Sequence, residues 1–422
     1  ADWVPAVGGQ HRVPPPDAIA RDYILLVLRL DASIPGIVDG YFGPADLKAQ
    51  VDTGPLRPAA ALADDARALR ERVGAEVAQA GRARWLDRQL VALETLAERE
   101  AGAPMDYVEE VTRCFDAAPE ALPAATYQRT RTALDALLPA GPDLRSRIDA
   151  WDQHLTVPVE RLPAVVDWIL PRLREASARL FAAPAGEKLR VSLVTKQPWG
   201  GYNWYDGGLA SRVDLNTDLP IRIAELVTTL SHETFPGHHL EHAWKEARLI
   251  RQERRLEASL VSVDTPEAYV SEGLAELGRL FVLPRPAHLE LLAGAMSVAG
   301  IAADGADAER VLDVAEARRS LKGSSGDAAL MLHRDGLAVE AVQAFLVEEA
   351  LDAPERAAKR IEFVTHPLWR TYVFSYAGGE RLLSAWCALE GEAAAPRRFF
   401  RLLTEQLTPS AMAAEVVAAG RA

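Results

Sequence analysis

Residues 223–247 read IAELVTTLSHETFPGHHLEHAWKEA. Ile223, Leu226, Val227 and Leu230 recur at the three- and four-residue spacing of one helical face, so the stretch predicts a helix near 220–247 with an apolar stripe turned to a core. At 100° per residue His232 lies roughly opposite that stripe, which a histidine packed in the core would not. Four of the nine histidines fall between positions 232 and 242. The segment is therefore both a structural helix and a concentration of ligating side chains.

The same periodicity extends outward over most of the chain. Segments rich in Ala, Leu, Arg and Glu predict helices near 17–31, 57–81, 84–101, 118–138, 158–182, 263–282, 286–303, 306–322, 337–350, 353–363, 369–389 and 395–406. Proline and glycine separate them, as at Pro14-Pro15-Pro16, Gly141-Pro142 and Pro284-Arg285-Pro286. The expected fold class is mainly α, a helical array around a deep cleft. It divides into an amino-terminal helical region, 1–184, and a chemistry-bearing region, 185–422, within one compact unit. Only residues 189–216, LRVSLVTKQPWGGYNWYDGGLASRVDLN, break the pattern. Two β-branched runs, Val191–Thr195 and Ser211–Leu215, flank a Gly- and aromatic-rich connection and predict one small hairpin or meander at the cleft rim. An exposed edge strand there is suited to holding an extended substrate.

Composition removes several classes of function. The 422 residues carry 60 acidic and 47 basic side chains, a net charge of −13, which disfavours nucleic acid and anionic membrane surfaces as partners. Cys114 and Cys387 are too few for a disulfide framework and too far apart for a thiolate metal motif. Metal chemistry here must use His and carboxylates. No apolar run reaches about 18 residues, and the opening ADWVPAVGGQHRVPPPD lacks the basic and apolar regions of a signal peptide. The expected location is cytoplasmic; a start at Ala leaves a removed leader open.

In metallopeptidases with HExxH the two histidines stand one turn apart and reach one ion, and Glu activates water. Here position i+4 from His232 is Pro236, and the next imidazoles, His238 and His239, lie at i+6 and i+7. On a straight helix that is about 9–10 Å of rise, too far for one ion. Pro236 and Gly237 supply a break that can return one of them to His232. The pattern HExxPGHH thus reads as a stretched metal motif; the alternative is a surface histidine cluster. A third ligand is available in AYVSEGLAELGRLF, 268–281, where Val270, Leu274, Leu277 and Phe281 form the apolar stripe and Glu272 lies about 200° from it. Glu276, one turn on, is placed to orient a ligand histidine. In HPLWRTYVFSYAGGERLL, 366–383, Tyr376 or Tyr372 can donate to an oxyanion, and Arg370 or Arg381 can hold a carboxylate. No P-loop, GxGxxG or GxSxG occurs, so phosphoryl transfer, dinucleotide binding and α/β-hydrolase chemistry lose their signatures.

These motifs resemble the bacterial family catalogued as domain of unknown function 885. The resemblance rests on SHETFPGHHLEH at 231–242, SEGLAE at 271–276, LHRDGLAVEAVQAFL at 332–346 and THPLWRTYVFSYAGGERLL at 365–383. It covers about residues 185–385. The family is distantly similar to gluzincin metallopeptidases of the thermostable carboxypeptidase type, which implies a zincin-like helical fold. It also implies Zn²⁺ on His232, His238 and Glu272, with Glu233 as general base. His238 is preferred because a Gly-His step precedes the second ligand in related motifs; His239 is the fallback. Leu274, Glu276 and Leu277 stand where the family commonly carries aromatic residues, a departure that bears on the substrate. The implied activity is zinc-dependent hydrolysis of a peptide or related amide, with Tyr376 at the oxyanion and His239, Arg370, Tyr372 and Arg381 toward the substrate. A metal-dependent step on a small secondary metabolite and a non-catalytic binding protein are the competing readings. The oligomeric state is left open.

Overall fold

The computed structural model describes residues 17–197, 199–302 and 305–420; the Pro14–Pro16 punctuation and the amino-terminal reading lie outside them. The fold is mainly α, as the periodicity predicts. The stripe residues Ile223, Leu226, Val227 and Leu230 are fully buried. Expected helices recur with shifted ends, and the shifts have local causes. The helix expected at 118–138 starts only at Ala125, because Pro119 and Pro123 hold the preceding residues extended. Short helices at Ala45–Asp52, Tyr107–Phe115, Leu144–His154, Ser324–His333 and Pro409–Ala419 were not anticipated. Tyr107–Phe115, for example, has only nine residues and relies on Asp106, whose carboxylate accepts from the Val108 and Glu109 amides; such a short helix leaves little periodicity to read.

The largest departure is in the opening stretch. One helix was expected over 220–247; the chain forms two, Ile223–Glu233 and His238–Lys245, separated by Thr234–Gly237. The Phe235–Pro236 bond is cis. A Cβ on residue 237 would stand 1.8 Å from the His232 carbonyl oxygen, so only glycine lets the chain fold back this tightly. The Gly237 amide donates to the Ser231 carbonyl at 3.1 Å, closing the turn.

Residues 189–216 do form a small sheet, but not a meander. Strands β2 (Lys188–Val194), β3 (Gly201–Gly207) and β4 (Ala210–Asn216) lie in the order β2-β4-β3, with β2 parallel and β3 antiparallel to β4. The Gly- and aromatic-rich segment expected as a connection is itself an edge strand. A second sheet, not expected, pairs β1 (Val38–Tyr41) with β5 (Leu260–Ser262); runs of four and three residues carry too little alternation to be read in advance.

Two hydrophobic cores fill the interior. One joins Tyr23, Leu90 and Phe115 to Leu346 and Phe374, and the other joins Ile148 and Val165 to Leu226, Leu277 and Phe399. Both draw on either side of residue 184, so neither region closes a core alone. The helices Pro266–Val282 and Val373–Cys387 cross where Gly273 meets Gly379: a Cβ on residue 273 would fall 2.4 Å from the Gly379 carbonyl carbon. The glycines of the SEG and AGG motifs are thus contact residues that let two site-bearing helices touch. Among the described residues no helix is long and apolar enough to cross a membrane.

Candidate metal centre

The break at Thr234–Gly237 sets His238 at the start of its own helix, and its imidazole swings back to His232. Their Nε2 atoms are 3.1 Å apart, with the rings nearly perpendicular at 86°. Glu272, on the crossing helix Pro266–Val282, completes the group: its Oε2 lies 3.2 Å from His232 Nε2 and its Oε1 3.8 Å from His238 Nε2. Donors on a tetrahedral ion with bonds of about 2.0–2.1 Å are about 3.3–3.4 Å from one another. The His232–His238 and His232–Glu272 pairs stand near that separation, and the His238–Glu272 pair is a few tenths of an ångström wider. Glu272 Oε2 is buried without a properly formed hydrogen bond, a cost that a cation between the three groups would offset.

The outer ring nitrogens face carboxylates, as metal-ligating imidazoles commonly do. His232 Nδ1 lies 3.5 Å from Glu276 Oε1, and Glu276 is ion-paired with Lys322. His238 Nδ1 lies 3.2 Å from Ser271 Oγ and 3.4 Å from Glu241 Oε2, and Ser271 donates to Glu241 at 2.6 Å. Burial works against charging His232, yet Glu272 and Glu276 push its pKa well above the ordinary imidazole value. His238 is raised in the same way, against its own burial, by Glu241 and Glu272. The surroundings therefore favour positive charge between the two rings. A second convergence of His238, Glu241 and His242 is already closed by the Lys245 ammonium on Glu241.

Glu233 is buried beside His232, His238 and Glu272, and Asn203 on edge strand β3 donates to its main-chain carbonyl at 2.8 Å. Desolvation raises its pKa; His232 and His238 work to lower it, while Glu272 and Glu276 add to the rise. A more basic carboxylate suits a proton acceptor. Tyr376 and His232 have ring centres 6.4 Å apart, and the Tyr376 hydroxyl makes no hydrogen bond among the described residues. Asn203, His232, Glu233, His238, Glu272 and Tyr376 line a cavity of about 320 Å³. Trp199, Tyr202, Phe363 and Trp369 add aromatic wall, with Tyr202 and Asn203 bringing the small sheet to the rim.

Other expected residues stand elsewhere. Tyr372 lines the cavity, but its hydroxyl donates to Glu272 Oε1 at 2.7 Å, so it clamps the carboxylate rather than awaiting a substrate. His239 is fully buried between Ser211 Oγ (2.8 Å) and Glu187 Oε2 (3.0 Å), outside the cavity wall. Arg370 precedes the Val373–Cys387 helix and ion-pairs with Glu110; Arg381, 140° round that helix from Tyr376, pairs with exposed Glu120 at 2.7 Å. Neither arginine lines the cavity. Three groups escaped the sequence reading. Glu241 had a signal, its i+3 spacing from His238. Ser271, adjacent to Glu272, had a weaker one. Asp39 had none: it sits on four-residue β1, far away in sequence, yet lines the cavity, where desolvation pushes its pKa to about 7.

No family model matches the chain, and no curated protein matches it. Among solved structures it is similar to the putative lipoprotein from Colwellia psychrerythraea, with a TM-score of 0.49 and 15% identity over 86% of this chain and 67% of that one.

Proposed function

We propose that the protein is a zinc-dependent hydrolase of a peptide or related amide bond, belonging with the family its motifs resemble. The observation that carries this reading is the convergence of His232, His238 and Glu272 beside Glu233 in one cavity. Two imidazoles and a carboxylate without thiolates are a common catalytic zinc set, with room for a further ligand. A zinc ion held there supplies Lewis acidity and lowers the pKa of bound water. Glu233 takes the proton of the attacking water and delivers it to the leaving nitrogen. Tyr376, with a hydroxyl free for the purpose, donates to the carbonyl oxygen as it gains charge. Tyr372, Glu276 and Glu241 hold the ligands in place. Edge strand β3 offers main-chain groups along the cavity for an extended substrate. A cytoplasmic location belongs to the same proposal.

The test combines metal analysis with a peptide-library assay. The purified protein is expected to bind about one zinc ion per chain, His232→Ala to lose it, and Glu233→Gln to keep it while hydrolysis falls about 10²–10⁴-fold. Full metal occupancy in His232→Ala, or undiminished turnover in Glu233→Gln, refutes the reading.

A further inference from the structure

Asp39 is the carboxylate that the metal centre leaves unused. It stands where the β1–β5 pairing slips register, between Val38 opposite Ser262 and Gly40 opposite Val261. Such a bulge re-aims a side chain out of the ladder, and Asp39 is turned into the cavity wall shared with His232, His238 and Glu272. Among the described residues it makes no hydrogen bond and no ion pair. The charges that act on it are those of His238, Glu272 and Glu233, with no lysine or arginine among them. The residue is half-buried, so its carboxylate stays accessible from the cavity and open to an arriving cation.

The rest of the wall has the same bias. Asp39, Glu233, Glu241, Glu267, Glu272 and Glu362 line the cavity, and its two lysines are already engaged: Lys245 with Glu241 and Glu267, Lys359 with Glu362 at 2.9 Å. Both arginines expected to receive a substrate carboxylate point elsewhere, into pairs with Glu110 and Glu120. The cavity is thus equipped to receive an ammonium group and poorly equipped to receive a carboxylate.

We propose that Asp39 anchors the free α-ammonium of a peptide, so that the site recognises its substrate by the amino terminus. This inference rests on the hydrolase reading for the identity of the reaction, and it makes the enzyme an aminopeptidase rather than a carboxypeptidase. Asp39 is a binding residue in this scheme; Glu233 and the ligands carry the chemistry.

The binding step is tested apart from turnover. Leucyl-phenylalanine amide titrated calorimetrically into the metal-free protein is expected to bind about 10–100-fold more tightly than its N-acetyl form, the worth of one charge-assisted pair. Asp39→Asn should abolish that preference and Asp39→Glu should retain part of it, each with an unchanged circular dichroism spectrum. Equal affinity of the wild type for the free and acetylated probes overturns the proposal, and that comparison holds whether or not Asp39→Asn folds. Full preference for the free amine in Asp39→Asn overturns it as well. Turnover by the zinc-loaded protein separates the two readings. Asp39-dependent binding without cleavage of either probe sinks the hydrolase reading and leaves the ammonium site standing. Equal cleavage of both probes does the reverse.

Discussion

His238 and His239 are neighbours in the chain, yet the fold gives them opposite surroundings. His238 Nε2 faces another imidazole nitrogen at 3.1 Å and a carboxylate oxygen at 3.8 Å. His239 lies between Ser211 and Glu187 with both ring nitrogens in hydrogen-bond contact. Burial, aided by Arg174, lowers its pKa to about 3, so it stays neutral. The first environment gathers several donor atoms on a cavity wall; the second is closed within the protein. Convergence of donor atoms around the unpartnered Glu272 Oε2, more than the presence of histidine, marks the site, because buried polar groups are normally satisfied where structure alone is served.

Exchanging each neighbour for alanine is the sharpest way to break that contrast. His238→Ala should lose zinc, measured by elemental analysis after dialysis, with the fold retained. His239→Ala should keep zinc and lose about 1–3 kcal/mol in denaturant unfolding, because Ser211 loses the partner of its buried hydroxyl and Glu187 is left with Arg174 alone. Zinc loss only in His239→Ala would reverse the assignment.

A smaller effect is expected one shell further out. Tyr372→Phe removes only the hydroxyl that holds Glu272, and zinc affinity in a chelator competition should fall about 10–100-fold, the usual range for an orienting partner. Unchanged affinity would mean that packing alone positions Glu272.

The effect farthest from the site, and smallest at any one pH step, concerns a closed histidine remote from the cavity. His288 is buried, and Arg279 approaches its Nδ1 at 3.2 Å; desolvation and that guanidinium lower its pKa to about 4. A depressed histidine pKa means that the unfolded chain takes up the proton first. Stability from this group is therefore full above about pH 6.5 and is lost as pH falls toward 4. In urea melts across that window, His288→Gln should flatten the slope by up to about 1.4 kcal/mol per pH unit. An unaltered slope would show that His288 is not held neutral.

Read along the chain, the sequence determined the helical class, the buried stripe of the first histidine helix and the presence of a sheet at 189–216, because periodicity and β-branched runs are local properties. It also singled out His232, Glu233, His238, Glu272 and Tyr376, whose residue types and spacing are legible without coordinates. It left His238 and His239 separable only by resemblance. Tertiary structure decided between them through Gly237, whose lack of a Cβ permits the fold-back that gives His238 to the cavity and His239 to the sheet. Tertiary structure likewise turned Tyr372 onto Glu272, through the Gly273–Gly379 crossing, and removed Arg370 and Arg381 to pairs with distant glutamates. Asp39 was beyond sequence reading altogether. A single carboxylate on a four-residue strand has no period and no motif, and its place in the cavity exists only because β1 and β5, separated by more than two hundred residues, pair with a slip in register at that position.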